Sequence, residues 1–359
     1  MTPTAIREVA FFTARSALSR PIADATHAIP GIRFVVAGIA LANGVTGQAH
    51  LLAFHYSPNA IAGACRDIEA FLRGRDASDT EGLMRDWDRD SEYFGHGGVN
   101  RWALGLANLA MWDARGRTLG QPVWRLLGGE ARAVPVYGSG GWLSYSDEEL
   151  VDEVTGYAKR GFAAVKVKVG SPEPGRDLER LARVREAGGP RVRVLMDANQ
   201  GLGVGAALAL AKAARGLDIA WFEEPIDHRD FDGYAALREG AGIAIAMGER
   251  EYDLVPLREL ARRGAIDLWQ PDLLRLGGVE GWRASAALAQ SHGIPVLPHY
   301  YRDYDVPLLC TIRNGAGAES FDWIDAIVDR PLRVEGGLAY PREEPGWGFA
   351  IRGDALSPL

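Results

Sequence analysis

The sequence predicts an α/β protein built around a (β/α) barrel, with a separate α+β domain before it. Two observations carry this prediction. From about residue 134, short apolar strands alternate with amphipathic helix patterns, and about eight strands occur in the series. This alternation is typical of a barrel of parallel strands. Before that point, a run of strands precedes a run of helices, which is typical of a self-contained α+β domain.

The α+β domain is assigned to residues 1–125. Strand-forming residues dominate 8–14, 33–41 and 46–54, and the sequence "NGVTG" before the third of these is a favourable hairpin turn. Helix patterns then extend over residues 61–119, with a glycine-rich break at the sequence "FGHGG". The domain is therefore expected to pack a small sheet against helices.

The barrel domain is assigned to residues 126–322. One of its helix patterns, "SDEELVDEVTGYAKRG", has Ser146 and Glu149 spaced as a capping box and ends at Gly161. A doubly wound open sheet is less favoured, because the early G-x-G-x-x-G phosphate loop is absent. Residues 323–359 show little periodicity and are expected to pack back on the first domain. The predicted barrel strands are 134–139, 163–169, 192–198, 219–224, 243–249, 265–272, 294–299 and 316–323.

Composition narrows the classes of function. The 359 residues carry a formal net charge of −7 without a long basic run, so neither nucleic acid nor an anionic membrane is expected as a partner. The two cysteines, Cys65 and Cys310, suggest neither a disulfide framework nor a zinc site. The N-terminus lacks a signal-peptide pattern, and the apolar stretch "FVVAGIALA" is too short to span a membrane. We expect a cytoplasmic enzyme and a homo-oligomer whose size the sequence does not set.

Three carboxylates follow consecutive predicted barrel strands. Asp197, Glu223 and Glu249 are each 26 residues apart, about one βα unit. In a barrel the carboxyl ends of the strands form the active-site face, so the three side chains are expected to converge there. Converging carboxylates repel unless a cation binds, and oxygen ligands favour Mg²⁺ or Mn²⁺ over zinc. The alternative is three unrelated acids capping helices, which the regular spacing disfavours.

Further polar residues follow the same spacing. Lys166 and Lys168 alternate in one strand and so share a face, which fits either a solvated strand edge or a site that needs a lysine of lowered pKa. Asp272 and His299 end neighbouring strands, 27 residues apart, so the carboxylate can hydrogen-bond to the imidazole and raise its basicity. Barrel closure is expected to place Lys168 and His299 on opposite sides of the metal. This arrangement suits proton abstraction from either face of a substrate carbon.

Taken together, these motifs resemble the enolase superfamily, and specifically its mandelate racemase subgroup (the mandelate racemase/muconate lactonizing enzyme family). The sequence "AMWDARGRTLGQPVWRLLGG" is similar to the segment that leads from that family's capping domain into its barrel. The resemblance extends over the whole chain and implies a modified (β/α)8 TIM barrel of the (β/α)7β type with an α+β capping domain. The other matching motifs are "VKVKVG", "DANQ", "WFEEP", "MGE", "PDLLRLGGVEGW" and "LPH".

The resemblance also implies roles for individual residues. Lys168 would be one base and Lys166 its electrostatic neighbour, and both Lys166 and the nearby metal cation are expected to lower the pKa of Lys168. Asp272 would orient His299, the second base. One Mg²⁺ per chain, or Mn²⁺ in its place, would be held by Asp197, Glu223 and Glu249. A protonated Glu319 would hydrogen-bond to the substrate carboxylate, and the remaining implied substrate contacts are Ser139 and Asn199.

Two bases at one carbon serve two reactions. Return of the proton to the opposite face makes a racemase of 2-hydroxy acids, whereas protonation of a departing β-hydroxyl makes an acid-sugar dehydratase. We lead with racemisation and keep dehydration as the close alternative. Ile22 and Ile29 occupy positions that are apolar in mandelate racemase, but Arg33 and the sequence "YYRDYD" at 300–305 are more polar.

Two other functions are less favoured. A non-catalytic metal-binding barrel is disfavoured because no recognised catalytic position is substituted. Muconate cycloisomerisation is disfavoured because it would not need Asp272 and His299. The expected partner is therefore a small 2-hydroxy acid or acid sugar.

Overall fold

The structure, a computed structural model, describes residues 2–53 and 58–359. Its strands are β1 (Ile6–Ser16), β2 (Ile22–Ala23), β3 (Ala28–Ile29), β4 (Ile32–Leu41), β5 (Thr46–Leu52), β6 (Val134–Gly140), β7 (Ala164–Lys168), β8 (Arg193–Asp197), β9 (Ile219–Glu223), β10 (Ala244–Met247), β11 (Leu268–Trp269), β12 (Ala318–Ser320), β13 (Val334–Glu335), β14 (Leu338–Ala339) and β15 (Ser357–Pro358). Its α-helices are α1 (Pro58–Leu72), α2 (Thr80–Ser91), α3 (Val99–Leu119), α4 (Val123–Leu126), α5 (Asp147–Lys159), α6 (Pro174–Gly188), α7 (Val204–Ala213), α8 (Phe231–Gly240), α9 (Val255–Arg263), α10 (Val279–Ser291) and α11 (Arg302–Leu309). Short 3₁₀ helices span Glu92–Phe94, Ala214–Leu217, Trp323–Ala326 and Gly353–Ala355.

The N-terminal sheet has β4 at its centre, paired antiparallel with β1 and β5. Helix α3 packs against β5 so closely that a Cβ atom added at Gly47 would lie 2.3 Å from the carbonyl oxygen of Ala110. The predicted strands and the break before α3 are confirmed, and a second break separates α1 from α2. Of the strand predicted over residues 46–54, Phe54 lies outside the described residues.

The barrel closes through eight strand positions. Strands β6 to β11 pair in parallel in chain order, and β12 pairs with β6. The seventh position is a single bridged residue, Val296, between Trp269 and Gly315. Pro295 and Pro298 flank it, and proline cannot donate a ladder hydrogen bond, so the predicted strand is reduced to one residue. Seven helices, α5 to α11, connect these eight positions, which confirms the (β/α)7β barrel.

The residues after β12 contact both parts of the chain. Strand β14 pairs with β6, and β15 pairs with β1. The indole of Trp347 donates from Nε1 to the carbonyl of Leu109 in α3 at 2.9 Å. The limits of the three segments, residues 1–125, 126–322 and 323–359, stay predictions. Among the residues that the structure describes, no helix is long and apolar enough to cross a membrane.

Candidate functional site

The barrel interior is filled by side chains from alternate strand positions. A buried cluster consists of Tyr137, Leu195, Trp221, Ala246 and Leu297. Because successive side chains point to opposite faces, the position two residues further along also points inward. These positions are Ser139, Asp197, Glu223, His299 and Gly248, of which the glycine has no side chain. The site therefore lies directly above this apolar cluster, at the carboxyl ends of the strands.

Lys166 is the central cation of the site. Its Nζ lies 2.5 Å from Glu223 Oε1, 2.7 Å from Glu319 Oε1 and 3.4 Å from Asp197 Oδ2, and all four side chains are buried. Burial lowers the pKa of Lys166, but Glu223 and Glu319 raise it well above its usual range. The lysine therefore stays charged and balances carboxylates from three strands.

Lys168 differs from our prediction. Its Nζ donates to Asp197 Oδ2 at 2.6 Å and lies 5.2 Å from the centre of the Trp142 ring. Burial lowers its pKa and Lys166 lowers it further, but Asp197, Asp24 and Glu223 together outweigh them, so the net shift is upward. Without another cation at Asp197, Lys168 is held in its charged form.

Glu319 also differs from the prediction, which made it a protonated acid. One of its oxygens contacts Lys166, and Oε2 accepts from the backbone N–H of Tyr300 at 2.9 Å. Burial raises the pKa of Glu319, but Lys166 and His299 lower it below its usual value. The neighbouring cations therefore keep Glu319 ionised.

Two of the three predicted metal ligands, Asp197 and Glu223, contact Lys166, whereas Glu249 lies beside His299. In the described part of the chain, no group of three or more His, Cys, Asp or Glu side chains is arranged to hold a metal ion. Glu223 accepts from Gln270 Nε2 at 2.6 Å through Oε2. Burial raises the pKa of Glu223, Lys166 lowers it, and the neighbouring carboxylates raise it again. The resulting pKa is about 7. Glu223 is therefore repelled by the other carboxylates of the site even though it is paired with Lys166.

The donor chemistry of this region fits a hard divalent cation. The ligand candidates are carboxylates, the donors that Mg²⁺ prefers. Two further buried oxygens, Asn199 Oδ1 and Glu224 Oε1, have no hydrogen-bond partner among the described residues. Burial is the main cause that raises the pKa of Glu224 to about 8, and the charges of Glu249 and Asp197 also raise it. Glu224 therefore lies close to two of the proposed metal ligands. An added positive charge would relieve this repulsion.

The predicted contact between Asp272 and His299 is present. His299 Nδ1 lies 2.8 Å from Asp272 Oδ2, while Asp272 Oδ1 accepts from the backbone N–H groups of Leu274 and Arg275. His299 Nε2 lies 3.4 Å from Glu249 Oε2. Burial lowers the pKa of His299, but Glu249 and the hydrogen bond to Asp272 raise it to about 9. The imidazole is therefore protonated at neutral pH and oriented by a fixed carboxylate.

A cavity of about 240 Å³ lies above these groups. The predicted residues on its wall are Ile29, Lys166, Lys168, Asn199, Glu249, Asp272, His299 and Glu319. Ile22, Arg33 and Ser139 do not line it. Arg33 lies on β4, Ile22 pairs with Ile29 in the β2–β3 hairpin, and Ser139 is buried on β6. These three predicted substrate contacts are therefore not brought to the cavity.

Further residues line the cavity; of these, the sequence had drawn attention to the loop residues Asp24 and His27 and to the tyrosines of "YYRDYD", but not to the others. The polar ones are Asp24, His27, Arg250 and Arg275, and aromatic ones include Trp142, Tyr300, Tyr301, Phe321 and Trp323. Arg250 directly follows Glu249, and Arg275 lies three residues after Asp272, so both follow strand ends that had already been identified. Of the "YYRDYD" sequence only the two leading tyrosines reach the cavity, because Arg302 is buried against Asp322 and Asp325.

Comparison with known families agrees with this geometry. The profile of the mandelate racemase/muconate lactonizing enzyme N-terminal domain matches residues 6–128, and that of the enolase C-terminal-like domain matches residues 149–355. The chain belongs to the mandelate racemase/muconate lactonizing enzyme family. The predicted family and fold class are thereby confirmed, and the chain is an enzyme of the enolase superfamily.

Members of this family with different activities are similar to the chain. A 3,6-anhydro-alpha-L-galactonate cycloisomerase from Streptomyces coelicolor is 28% identical over 348 residues, 96% of each chain. An L-talarate/galactarate dehydratase from Salmonella typhimurium is 27% identical over 93% of this chain and 86% of its own. The chain also superimposes on the crystal structure of an enolase from Bradyrhizobium complexed with magnesium and mandelic acid, with a TM-score of 0.91. The two sequences are 29% identical, and the match covers 99% of this chain and 98% of that one.

Proposed function

We propose that the enzyme removes the α-proton of an acid sugar and eliminates the β-oxygen substituent. The observation that carries this proposal is the set of polar and charged side chains on the cavity wall beyond the predicted catalytic residues: Asp24, His27, Arg250 and Arg275. A polyhydroxylated substrate needs such partners, because its hydroxyls must be hydrogen-bonded when buried. The named activities of the Streptomyces and Salmonella relatives support the same class of substrate. This reverses the order in which the sequence ranked racemisation and dehydration.

Mg²⁺ is the proposed cofactor, held by Asp197, Glu223 and Glu249. When bound, it would supply positive charge against the negative charge that develops on the substrate carboxylate. Lys166 stands beside Glu319 and provides a fixed cation for the same carboxylate. The Bradyrhizobium structure with magnesium and mandelic acid supports this assignment.

Lys168 is the proposed base and His299 the proposed acid. Lys168 Nζ must lose its proton before it can accept one from the α-carbon, and its pairing with Asp197 opposes that loss. His299 carries a proton at neutral pH, so it can give that proton to the departing β-oxygen. Asp272 then stabilises the orientation of the ring.

The test is a screen of acid sugars and 2-hydroxy acids with Mg²⁺ in D₂O, read by NMR. We expect α-proton exchange and a 2-keto-3-deoxy acid as the product from at least one acid sugar. Lys168→Ala should abolish the exchange, and His299→Asn should stop product formation from substrates whose β-oxygen departs on the side of His299. Absence of any α-proton exchange by the wild-type enzyme across the panel would contradict the proposal.

Racemisation remains a second candidate because of one feature of the cavity. Phe321 stacks on Trp323 with ring centres 4.3 Å apart, and Trp142 stacks on Trp323 at 6.1 Å. This aromatic wall could pack against the ring of a mandelate-like acid. Inversion of mandelate in the same screen, without turnover of any acid sugar, would favour this function.

A further inference from the structure

We propose that His27 is a second proton donor of this site and serves the face of the substrate on which Lys168 acts. The inference rests on the proposed elimination and extends it to a stereochemical class of substrate. It would let the enzyme act on acid sugars whose α-proton and β-oxygen lie on the same face.

The hairpin formed by β2 and β3 carries His27 over the end of β7. At one side, the backbone N–H of Leu143, after β6, donates to the carbonyl of Ala23 at 2.8 Å. At the other side, Thr26 Oγ1 donates to the carbonyl of Asn199, after β8, at 3.1 Å. Strand β7 lies between β6 and β8 and ends at Lys168. The hairpin therefore bridges the two neighbouring strand ends above the proposed base.

Two glycines fit the tip of this hairpin to the barrel. A Cβ atom added at Gly170 would lie 2.9 Å from the Cβ of Ala25, and one added at Gly201 would lie 2.5 Å from it. Real Cβ atoms do not approach so closely, so Ala25 occupies a notch that only glycine leaves open. His27, two residues further on, is consequently held at a fixed position on the cavity wall.

A buried carboxylate orients the imidazole of His27. Asp24 Oδ1 accepts from the backbone N–H groups of Thr26 and His27 at 2.7 Å each, and His27 Nδ1 lies 2.8 Å from Thr26 Oγ1 and 3.2 Å from the same Asp24 oxygen. The Asp24 side chain is 7% exposed. Burial raises its pKa, but the hydrogen bond to His27 and the charge of Lys168 lower it overall. Asp24 and His27 thus repeat the arrangement of Asp272 and His299 at another part of the wall.

In the proposed step, Lys168 takes the α-proton, the C–H electron pair forms the new C–C double bond, and the β C–O bond breaks. His27 in its role as acid gives a proton to the departing oxygen, which leaves as water from a hydroxyl or becomes the hydroxyl of an opened ring from a cyclic ether. His299 would donate instead to an oxygen that departs from the opposite face. The resulting enol then tautomerises to the 2-keto acid.

The decisive comparison uses leaving groups that do or do not need a proton. His27→Gln is tested on C5 and C6 acid sugars of both relative configurations and on their 3-deoxy-3-fluoro analogues. For same-face substrates we expect elimination of hydroxide to fall about 100-fold or more, whereas α-proton exchange and fluoride release persist. Asp24→Asn should show the same pattern with a smaller loss. His292→Gln, at an exposed histidine after α10, is the matched control.

Three outcomes oppose the proposal. Undiminished water loss in His27→Gln with every substrate removes His27 from the reaction. Equal loss of water elimination and fluoride release indicates a role in binding or folding rather than proton donation, and circular dichroism of the variant tells these two apart. A wild-type enzyme that exchanges no α-proton overturns the proposed function itself, and the inference with it.

Discussion

Gln270 Nε2 donates a hydrogen bond of 2.6 Å to Glu223 Oε2, while Lys166 contacts the other oxygen of the same carboxylate. Both Gln270 and Glu223 are buried, so this bond fixes the orientation of a proposed metal ligand. Such supporting partners matter because they hold the ligand in the geometry that the metal needs.

Gln270→Leu should therefore weaken Mg²⁺ binding. We expect the dissociation constant measured by calorimetry to rise about 10- to 100-fold. Gln290→Leu, at an exposed position of α10, is the control and should leave the constant unchanged. Equal affinities of the Gln270 variant and the wild type would remove Glu223 from the metal site or show that its orientation does not matter.

The acid role of His299 predicts a specific titration in the metal-free protein. The pKa of His299 is raised from 6.5 to about 9, so its contribution to stability is complete below pH 6.5 and is lost as the pH rises through about 9. Asp272→Asn removes one cause of the rise and should shift the NMR titration midpoint of His299 downward. An unchanged His299 midpoint would show that Asp272 does not support the charged ring.

The close contact between Ala25 of the β2–β3 hairpin and Gly201 of the barrel can be tested by adding a side chain at Gly201. Gly201→Ala would place a Cβ atom 2.5 Å from that of Ala25, so the hairpin must move. Overpacking of this kind typically costs about 1–3 kcal/mol. We expect a higher KM for the substrate and a lower kcat for elimination in steady-state assays. Adding Ala25→Gly should restore part of both.

The control for this substitution is Gly203→Ala. Nothing lies within 4 Å of a Cβ atom added at Gly203, whose φ of −97° any residue can adopt. This variant should retain wild-type kinetics. Similar losses in the two alanine variants would mean that loop flexibility, and not the fit of Ala25, governs the effect.

A tyrosine hydroxyl joins β5 to the barrel. Tyr304 OH accepts from the backbone N–H of His50 at 2.9 Å and lies 2.8 Å from His50 Nδ1, and the two rings stack. Tyr304→Phe leaves these buried groups without a partner, which should lower the free energy of unfolding by about 1–3 kcal/mol. Chemical denaturation measures this loss. Tyr93→Phe, at a residue that is 86% exposed, should have no effect.

Much of the fold was predictable because hydrophobic periodicity depends on local sequence. The spacing of Asp197, Glu223 and Glu249 placed all three at strand ends, where the structure has them. The strand at 294–299 was overestimated, since two prolines limit its pairing to Val296.

The charge states of the site were less predictable than its positions. Lys166 and Lys168 are two residues apart in sequence, so their mutual repulsion is evident, but the carboxylates that outweigh it come from other strands. Likewise, the resemblance implied a protonated Glu319, and its contact with Lys166 could not be anticipated because that contact depends on closure between β6 and β12. Charge states that depend on residues from distant parts of the chain can be derived only from the three-dimensional structure.

The pairing of β15 with β1 has a consequence for biosynthesis. Thr13 aligns with Ser357 and Phe12 with Pro358, so one edge of the N-terminal sheet is completed by residues that the ribosome adds after the whole barrel. Domains generally fold as units from the N-terminus during translation. Here β1 must keep an open edge throughout synthesis of the barrel, and an open edge can pair with another chain. Until β15 emerges from the ribosome, Phe12 and Thr13 of β1 therefore lack their native partners and are open to pairing with another chain.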